Sequence, residues 1–219
     1  MVAESLISYT IVPLRTSDTG EEALSIMDDF HVKHLPIVNN EELLGLISEE
    51  DILEFDVNEP VGSYSLSLTH PYARINDHIY ELMRLLTQHN LTVIPVVDNE
   101  NKYVGLVSQE DLLRYFASTA SFAEPGSIIV LEIGKRDYAL SEIARIIEAE
   151  NTTILNSFVT STPDSTQIEL TIKLSRQNIQ PIIASLQRFD YIIKASFNEI
   201  EYFESLKDRY DALMAYLNI

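Results

Sequence analysis

The sequence predicts a mixed α/β fold: two copies of one strand–helix–strand–strand–helix unit, then a βαββαβ domain and a C-terminal helix. The main observation is an internal repeat, in which the Pro, Gly, Ser and Asp of residues 35–51 return in the same order in residues 94–111. A second observation is the Pro125-Gly126 dipeptide, after which the pattern of strands and helices changes. A repeat of this length is a whole folding unit.

These spacings also predict the domain organisation. We expect the two copies over residues 1–59 and 60–124, the βαββαβ domain over 125–198 and the amphipathic helix over 199–219. Two copies in one chain usually bury their open faces against each other. The crevice between them is therefore the expected ligand site.

An amphipathic helix precedes the proline of each copy. Apolar residues fall at i, i+3, i+4 and i+7 in both, as Ala23, Ile26, Met27 and Phe30, and as Ile79, Leu82, Met83 and Leu86. Thr19 with Glu22 predicts a capping box at the start of the first helix. Asn76 or Asp77 is expected to cap the second helix. We expect a strand before each helix, near residues 8–12 and 65–68.

Two apolar strands and a further helix complete each copy. The strands are predicted at residues 35–38 and 43–47, and at 93–97 and 103–107, with a polar turn inside each pair. The further helices begin near Ser48 and Ser108.

The Ser-x-x-Asp turns have two interpretations. Ser48 and Asp51, like Ser108 and Asp111, are spaced as the N-cap and third residue of a helix, and capping alone would explain both motifs. The same geometry suits a ligand, because a helix N-terminus presents free N–H groups to a phosphate. A carboxylate in that turn can also accept two hydrogen bonds from a diol. Both interpretations stay open at this point.

Two arginines are related by the same repeat. Arg15 and Arg74 lie 59 residues apart, each just before the first helix of its copy. An arginine fork suits a pair of phosphate oxygens. A surface arginine that balances an acidic face is an equal alternative.

The pattern φ-Pro-φ-Val, turn, φ-Gly-φ-φ-Ser-x-x-Asp, present twice within residues 5–118, resembles a tandem pair of CBS domains, a Bateman module. The resemblance implies a regulatory protein that binds an adenosine-containing ligand in clefts between the copies. By this resemblance, the aspartate of each motif binds the ribose of the ligand, and the serine of each motif lies near its phosphate. The ligand-binding residues expected in this way are Ser108, Asp111, Ser48, Asp51, Arg15, Arg74, Ile94, Pro95, Leu35 and Pro36.

Charge restricts the ligand that this resemblance implies. Glu49, Glu50 and Glu110 lie inside the motifs and would repel a triphosphate. An AMP-like monophosphate, or an adenosyl compound with little negative charge, is therefore favoured over ATP. The second motif is less acidic than the first, so we expect its site to be occupied first.

The second half of the chain has a different order of elements. Strands are predicted at residues 127–133, 152–160, 166–174 and 191–197, with helical stripes at 140–147 and 179–186. This βαββαβ order is a ferredoxin-like split βαβ, and it looks like an ACT domain. The arrangement as a whole resembles the acetoin-utilisation (AcuB-type) proteins. Tyr138 stands where amino-acid-binding ACT domains usually have glycine, so a dimerisation sheet without a ligand is an equal alternative to amino-acid binding.

An apolar stripe also marks the tail, at Phe203, Leu206, Tyr210, Leu213 and Leu217. It predicts a helix that packs across the two repeats or onto a second chain.

Composition excludes several classes of protein. The chain has no cysteine, so disulfides and thiolate zinc sites are absent. Its net charge of −19 opposes binding to nucleic acid or to an anionic membrane. The sequence has no signal-peptide pattern and no apolar run long enough for a membrane span, which predicts a cytoplasmic protein. His31 and His34 have no further residues that would complete a metal site, and no metal is predicted.

The predicted function is non-enzymatic, since no phosphate loop, nucleophile elbow or His-Glu-x-x-His motif is present. We expect a regulator with no obligatory cofactor that senses an adenosine-containing molecule and relays it through a homodimer to an unknown target protein. Two alternatives are a constitutive dimeric scaffold without a nucleotide and a hydrolase with unrecognised carboxylates.

Overall fold

The computed structural model describes residues 2–64, 71–119, 121–122 and 124–198, together with Met214 and Tyr216. The chain divides into two compact units, Met1–Phe116 and Ala117–Ile219. Both units mix helices with sheets, so the predicted mixed α/β class is confirmed. Within the described residues, no helix combines the length and the apolar character that crossing a membrane requires.

The first copy of the repeat contains α1 (Gly20–Asp29), β1 (His34–Asn39), β2 (Glu42–Ser48) and α2 (Glu49–Leu53). The strands form an antiparallel pair with a register shift between Ile37 and Val38. At the start of α1, the Thr19 hydroxyl accepts the N–H of Glu22 and the Glu22 carboxylate accepts the N–H of Thr19. The predicted capping box is therefore confirmed.

The second copy contains β3 (Ala73–Arg74), α3 (Ile79–Gln88), β4 (Val93–Val97), β5 (Tyr103–Ser108) and α4 (Gln109–Thr119). Strand β3 runs parallel to β4, and β4 pairs antiparallel with β5. A register shift between Val96 and Val97 falls 59 residues after the shift in β1. The sequence repeat therefore reproduces the hairpin down to its bulge.

The strand predicted over residues 8–12 is wrong. Ser8 makes an isolated bridge to Leu106, whereas Leu14 makes a parallel bridge to Ile37. The segment changes partner between these two bridges, and Pro13 has no N–H to donate to a ladder. The corresponding prediction at 65–68 lies outside the described residues.

The predicted cap of α3 is also wrong. The N-cap is His78, whose Nδ1 accepts the N–H of Tyr80. Asp77 instead accepts the N–H of Arg74 through Oδ2 at 2.7 Å, which commits its carboxylate to the turn before the helix. Asn76 bonds to Asn99.

The hydrophobic cores of the two copies share residues. Val93 and Leu106 of the second copy are fully buried in the core of the first, beside Leu35 and Ile47. In the other direction, Ala3 is fully buried in the core of the second copy. Each copy thus covers an open face of the other, as predicted for a tandem repeat.

The second unit contains β6 (Ser127–Gly134), α5 (Leu140–Ala149), β7 (Ile154–Thr160), β8 (Gln167–Leu174), α6 (Gln180–Arg188) and β9 (Ile192–Asn198). Its antiparallel sheet has the order β7-β8-β6-β9, which confirms the predicted ferredoxin-like order. Both helices pack on one sheet face, and Tyr138 packs against this core. The tail residues Phe203, Leu206, Tyr210, Leu213 and Leu217 lie outside the described residues.

Candidate functional site

A cavity of about 320 Å³ lies between the two copies of the repeat, inside the first unit. Ligand pockets in proteins range from roughly 300 to 1,000 Å³, so this cavity fits a small ligand. Both copies line it in equal number, with Ser8, Thr10, Ile11, Phe30, His31 and Val32 from the first and Thr92, Ser108, Gln109, Glu110, Asp111 and Arg114 from the second.

Gly105 allows the N-terminal segment to form one wall of this cavity. Its φ of +149° is a conformation that side-chain-bearing residues rarely adopt, and a Cβ at this position would overlap Ile7 Cγ2. The close approach lets the Ser8 N–H donate to the Leu106 carbonyl oxygen at 2.8 Å. The chain then continues to Thr10 at the cavity wall. Residues of the first copy therefore face the motif of the second.

The Ser-x-x-Asp motif has the same geometry in both copies. The Ser108 hydroxyl donates to Asp111 Oδ2 at 2.6 Å, and the Asp111 N–H donates back to Ser108 Oγ at 3.0 Å. Ser48 and Asp51 repeat these two distances, 2.6 and 3.0 Å. Both motifs are therefore helix caps, as one of the two interpretations predicts.

The caps leave part of each carboxylate available. The backbone N–H of Ser108 also donates to Asp111 Oδ2, at 3.1 Å. Both capping bonds that the Asp111 carboxylate accepts therefore end on Oδ2, and neither uses Oδ1. A ligand hydroxyl that enters the cavity can donate to Asp111 Oδ1 without disturbing the cap.

The N-terminus of α4 offers limited capacity for a phosphate. The N–H of Gln109 already donates to the Thr92 carbonyl oxygen at 2.9 Å, and that of Asp111 donates to Ser108. The guanidinium of Arg114 is paired with Glu110 at 2.5 Å. This wall therefore combines one neutralised cation with the carboxylate of Asp111, and a highly charged anion would be repelled.

The structure brings two of the expected ligand residues, Ser108 and Asp111, to the cavity. Arg15 and Arg74 are exposed and lie outside its lining, and the N–H of each closes a turn with an aspartate three residues later. Four more of the expected ligand residues are buried in strands and lie outside the cavity lining: Leu35, Pro36, Ile94 and Pro95.

Ser48 and Asp51 belong to the other copy of the motif. By the repeat offset, the positions equivalent to Ser8, Thr10 and Ile11 are residues 67, 69 and 70, which lie outside the described residues. Helix α2, which follows this motif, has five residues, whereas α4 has 11.

Several cavity residues were not identified from the sequence. Thr92 is the repeat equivalent of Lys33, and each lies one residue before the strand pair of its copy. The repeat could therefore have indicated that Thr92 lies near the motif of its own copy. Thr10 had no such signal, because it reaches the cavity through a segment that crosses between copies. His31 reaches it from the turn after α1, and its spacing indicated no ligand contact. Among the described residues, no group of three or more His, Asp or Glu side chains could hold a metal ion.

His34 links the first copy to the cavity wall. Its Nδ1 lies 3.1 Å from Thr92 Oγ1 and accepts the Thr92 N–H at 3.3 Å, while the Lys33 N–H donates to Thr92 Oγ1 at 2.8 Å. Burial lowers the pKa of His34 below its ordinary value of 6.5, against the opposing charges of Asp51 and Glu50. Lys33 lowers the pKa further.

Comparison with known proteins gives a family and several relatives. The family model described as the CBS domain matches residues 3–58 and 64–118, about half of the chain. An inosine-5'-monophosphate dehydrogenase of Methanocaldococcus jannaschii is 22% identical over 151 residues, which is 68% of this chain and 30% of that protein. A homoserine O-acetyltransferase of Methanococcus vannielii is 25% identical over 51% of this chain and 24% of its own length. The chain thus spans less than a third of these two relatives.

Two solved structures are similar over about half of the chain. A CBS domain pair/ACT domain protein from Thermotoga maritima has a TM-score of 0.48 and 24% identity, over 54% of this chain and 98% of its own. The protein CBSX2, crystallised with AMP, has a TM-score of 0.47 and 19% identity, over 53% of this chain and 96% of its own.

Proposed function

Because this chain belongs to the CBS domain family, we propose that it is a non-enzymatic regulator that binds an adenosine-containing small molecule between its two repeat copies. The observation that carries the proposal is the cavity whose wall comes equally from both copies. A ligand in such a cavity contacts both copies at once, so it favours one arrangement of them over another.

The chemistry of the wall supports a ligand with little negative charge. Asp111 Oδ1 suits a ribose diol, as the resemblance to CBS domains implies for the motif aspartate. Two of the first N–H groups of α4 are already used, and the Arg114 guanidinium is already paired with Glu110. Adenosine, an adenosyl compound or AMP is therefore a better match than ATP, and the volume of about 320 Å³ agrees with a ligand of that size.

The relay is proposed to run through a homodimer to a target protein. We propose four domains, over residues 1–59, 60–124, 125–198 and 199–219. The ferredoxin-like sheet supports an ACT-like domain and an AcuB-type architecture. Tyr138 packs against the core of that domain, at the position where the family's amino-acid-binding members have glycine, and this favours a dimerisation role without an amino-acid ligand.

A constitutive dimeric scaffold is the second candidate. One observation favours it: both Ser-x-x-Asp motifs are complete helix caps. A motif that forms a complete helix cap needs no ligand to account for it.

Calorimetry with adenosine, AMP and ATP separates the two candidates. The variant Asp111→Asn keeps an oxygen that can accept the capping bonds but loses the second carboxylate oxygen. We expect it to reduce the affinity for adenosine and AMP by about tenfold or more, since bonds to a charged acceptor are lost. Asp51→Asn makes the same change at the matched cap outside this cavity, and we expect the first binding event to survive. Absence of binding by every nucleoside and nucleotide would leave the scaffold as the better account.

A further inference from the structure

The contact between His34 and Thr92 occurs once, although the chain is a repeat. The two residues belong to different copies, and their equivalents 59 residues away are Val93 and Lys33. A contact between Val93 and Lys33 would have no ring nitrogen. The asymmetry therefore places one titratable group behind the wall of the cavity described above.

The hydrogen bonds at this contact require a neutral ring. A backbone N–H can only donate, so the bond from the Thr92 N–H at 3.3 Å requires an unprotonated Nδ1 and puts the ring proton on Nε2. The Lys33 N–H also donates, to Thr92 Oγ1 at 2.8 Å. The Thr92 hydroxyl, 3.1 Å from His34 Nδ1, can then donate only by sharing the one lone pair of that nitrogen with the Thr92 N–H. The remaining lone pair of Thr92 Oγ1 is left as an acceptor for the cavity.

Protonation of the ring would disturb this arrangement. A proton on Nδ1 would face the Thr92 N–H, and two donors cannot bond to each other. That proton would donate instead to Thr92 Oγ1, 3.1 Å away, and would take the lone pair that the neutral ring leaves to the cavity. Thr92 is also tied to the motif helix, because its carbonyl oxygen accepts the N–H of Gln109 at 2.9 Å. A displacement of Thr92 therefore reaches the start of α4, beside Ser108 and Asp111.

The charged groups around His34 come from two elements. Lys33 precedes it on the chain and pairs with Glu49 at 3.7 Å, while Glu50 and Asp51 lie on α2. The adjoining strand β4 contributes apolar residues only. The acidic groups favour a charged ring and burial opposes it, and burial has the larger effect.

We propose that His34 is a positioning residue: its neutral ring holds Thr92 in the cavity wall as a hydrogen-bond acceptor, and its protonation breaks the bond from the Thr92 N–H, takes up this acceptor and weakens ligand binding. This inference rests on the function proposed above. The matching ligand is one that offers a hydrogen-bond donor to this wall, such as a hydroxyl or amino group, rather than a phosphate oxygen.

The first test needs no ligand. NMR spectra of the full chain are recorded between pH 8 and 5.5, and we expect the Thr92 and Gln109 amide resonances to move with the titration of the His34 ring. In His34→Asn, a side-chain oxygen can accept the Thr92 N–H without titrating, and the two amide shifts should no longer follow a histidine. Amide resonances that ignore the His34 titration in the wild type would overturn the inference.

The second test is calorimetry with adenosine, which has no phosphate whose own pKa of about 6 would complicate the titration. We expect the wild-type affinity to fall about fivefold from pH 8 to pH 5.5, as for the loss of one hydrogen bond, and the affinity of His34→Asn to stay constant. His89→Asn, which removes an exposed histidine outside the cavity lining, should keep the wild-type dependence.

The two proposals fail in different ways. Adenosine binding that is independent of pH in the wild type would overturn the role of His34 and leave the proposed function intact. No adenosine binding at pH 8 would contradict the proposed function, and the NMR titration would then decide the role of His34 alone.

Discussion

Ile7 packs directly over Gly105, so that a Cβ on Gly105 would overlap Ile7 Cγ2. This contact joins the N-terminal segment of the first copy to strand β5 of the second. It also sets the position of Ser8 on Leu106 and, beyond it, the cavity wall at Thr10.

We therefore expect Gly105→Ala to lower the free energy of unfolding by about 1 to 3 kcal/mol, through overpacking and an unfavourable φ. Urea denaturation followed by circular dichroism measures it. Gly134→Ala is the control, because there the new Cβ meets only the flexible Asp137 carboxylate. Adding Ile7→Ala should recover part of the loss. An equal effect of both glycine substitutions would contradict the steric explanation.

Removal of the second helix cap should destabilise the first unit. Ser108→Ala deletes the hydroxyl that accepts the Asp111 N–H and donates to Asp111 Oδ2. We expect a loss of about 1 kcal/mol in urea denaturation, typical of an N-cap serine. Ser5→Ala removes an exposed hydroxyl bonded to the Val2 carbonyl, and its effect should be much smaller. Equal losses in the two variants would show that Ser108 is not a significant cap.

The pair between Glu110 and Arg114 should control the preference for phosphate. Glu110→Gln removes one negative charge from the wall and releases Arg114. We expect the affinity for AMP to rise about three- to tenfold relative to adenosine. The control is Glu81→Gln, which breaks the comparable pair with Arg84 on α3, outside the cavity lining. A ratio of AMP to adenosine affinity that stays constant in Glu110→Gln would contradict this electrostatic account.

Stability should depend on pH through His34. Its pKa in the folded chain lies below the ordinary value of 6.5 because of burial. The unfolded state therefore binds more protons as the pH falls through this range, and the contribution of the neutral ring is present above pH 6.5 and lost below it. We expect the melting temperature of the wild type to fall more between pH 7.5 and 5.5 than that of His34→Asn. Parallel changes in the two proteins would assign the pH dependence to other groups.

The sequence predicted the features that depend on residues close together in the chain. The capping box at Thr19 and Glu22, the hairpins and the two Ser-x-x-Asp caps all follow from spacing within a few residues. The ferredoxin-like order of the second unit follows from the alternation of periodicities.

Features that depend on contacts across the chain were harder to predict. The bridge from Ser8 to Leu106 replaces a strand, because the segment is held by the other copy and not by its own neighbours. The same crossing brings Thr10 to the cavity. Arg15 and Arg74 keep their repeat spacing, yet local turns hold their backbones and their side chains are not in the cavity lining.

The shared cores have a consequence for any attempt to divide this protein. A fragment that ends before residue 64 would lack Val93 and Leu106, two fully buried members of its core. The complementary fragment would lack Ala3. Neither fragment contains a complete hydrophobic core. We therefore expect the two copies to fold as a single cooperative unit, and the separated fragments to regain their structure only when they are mixed.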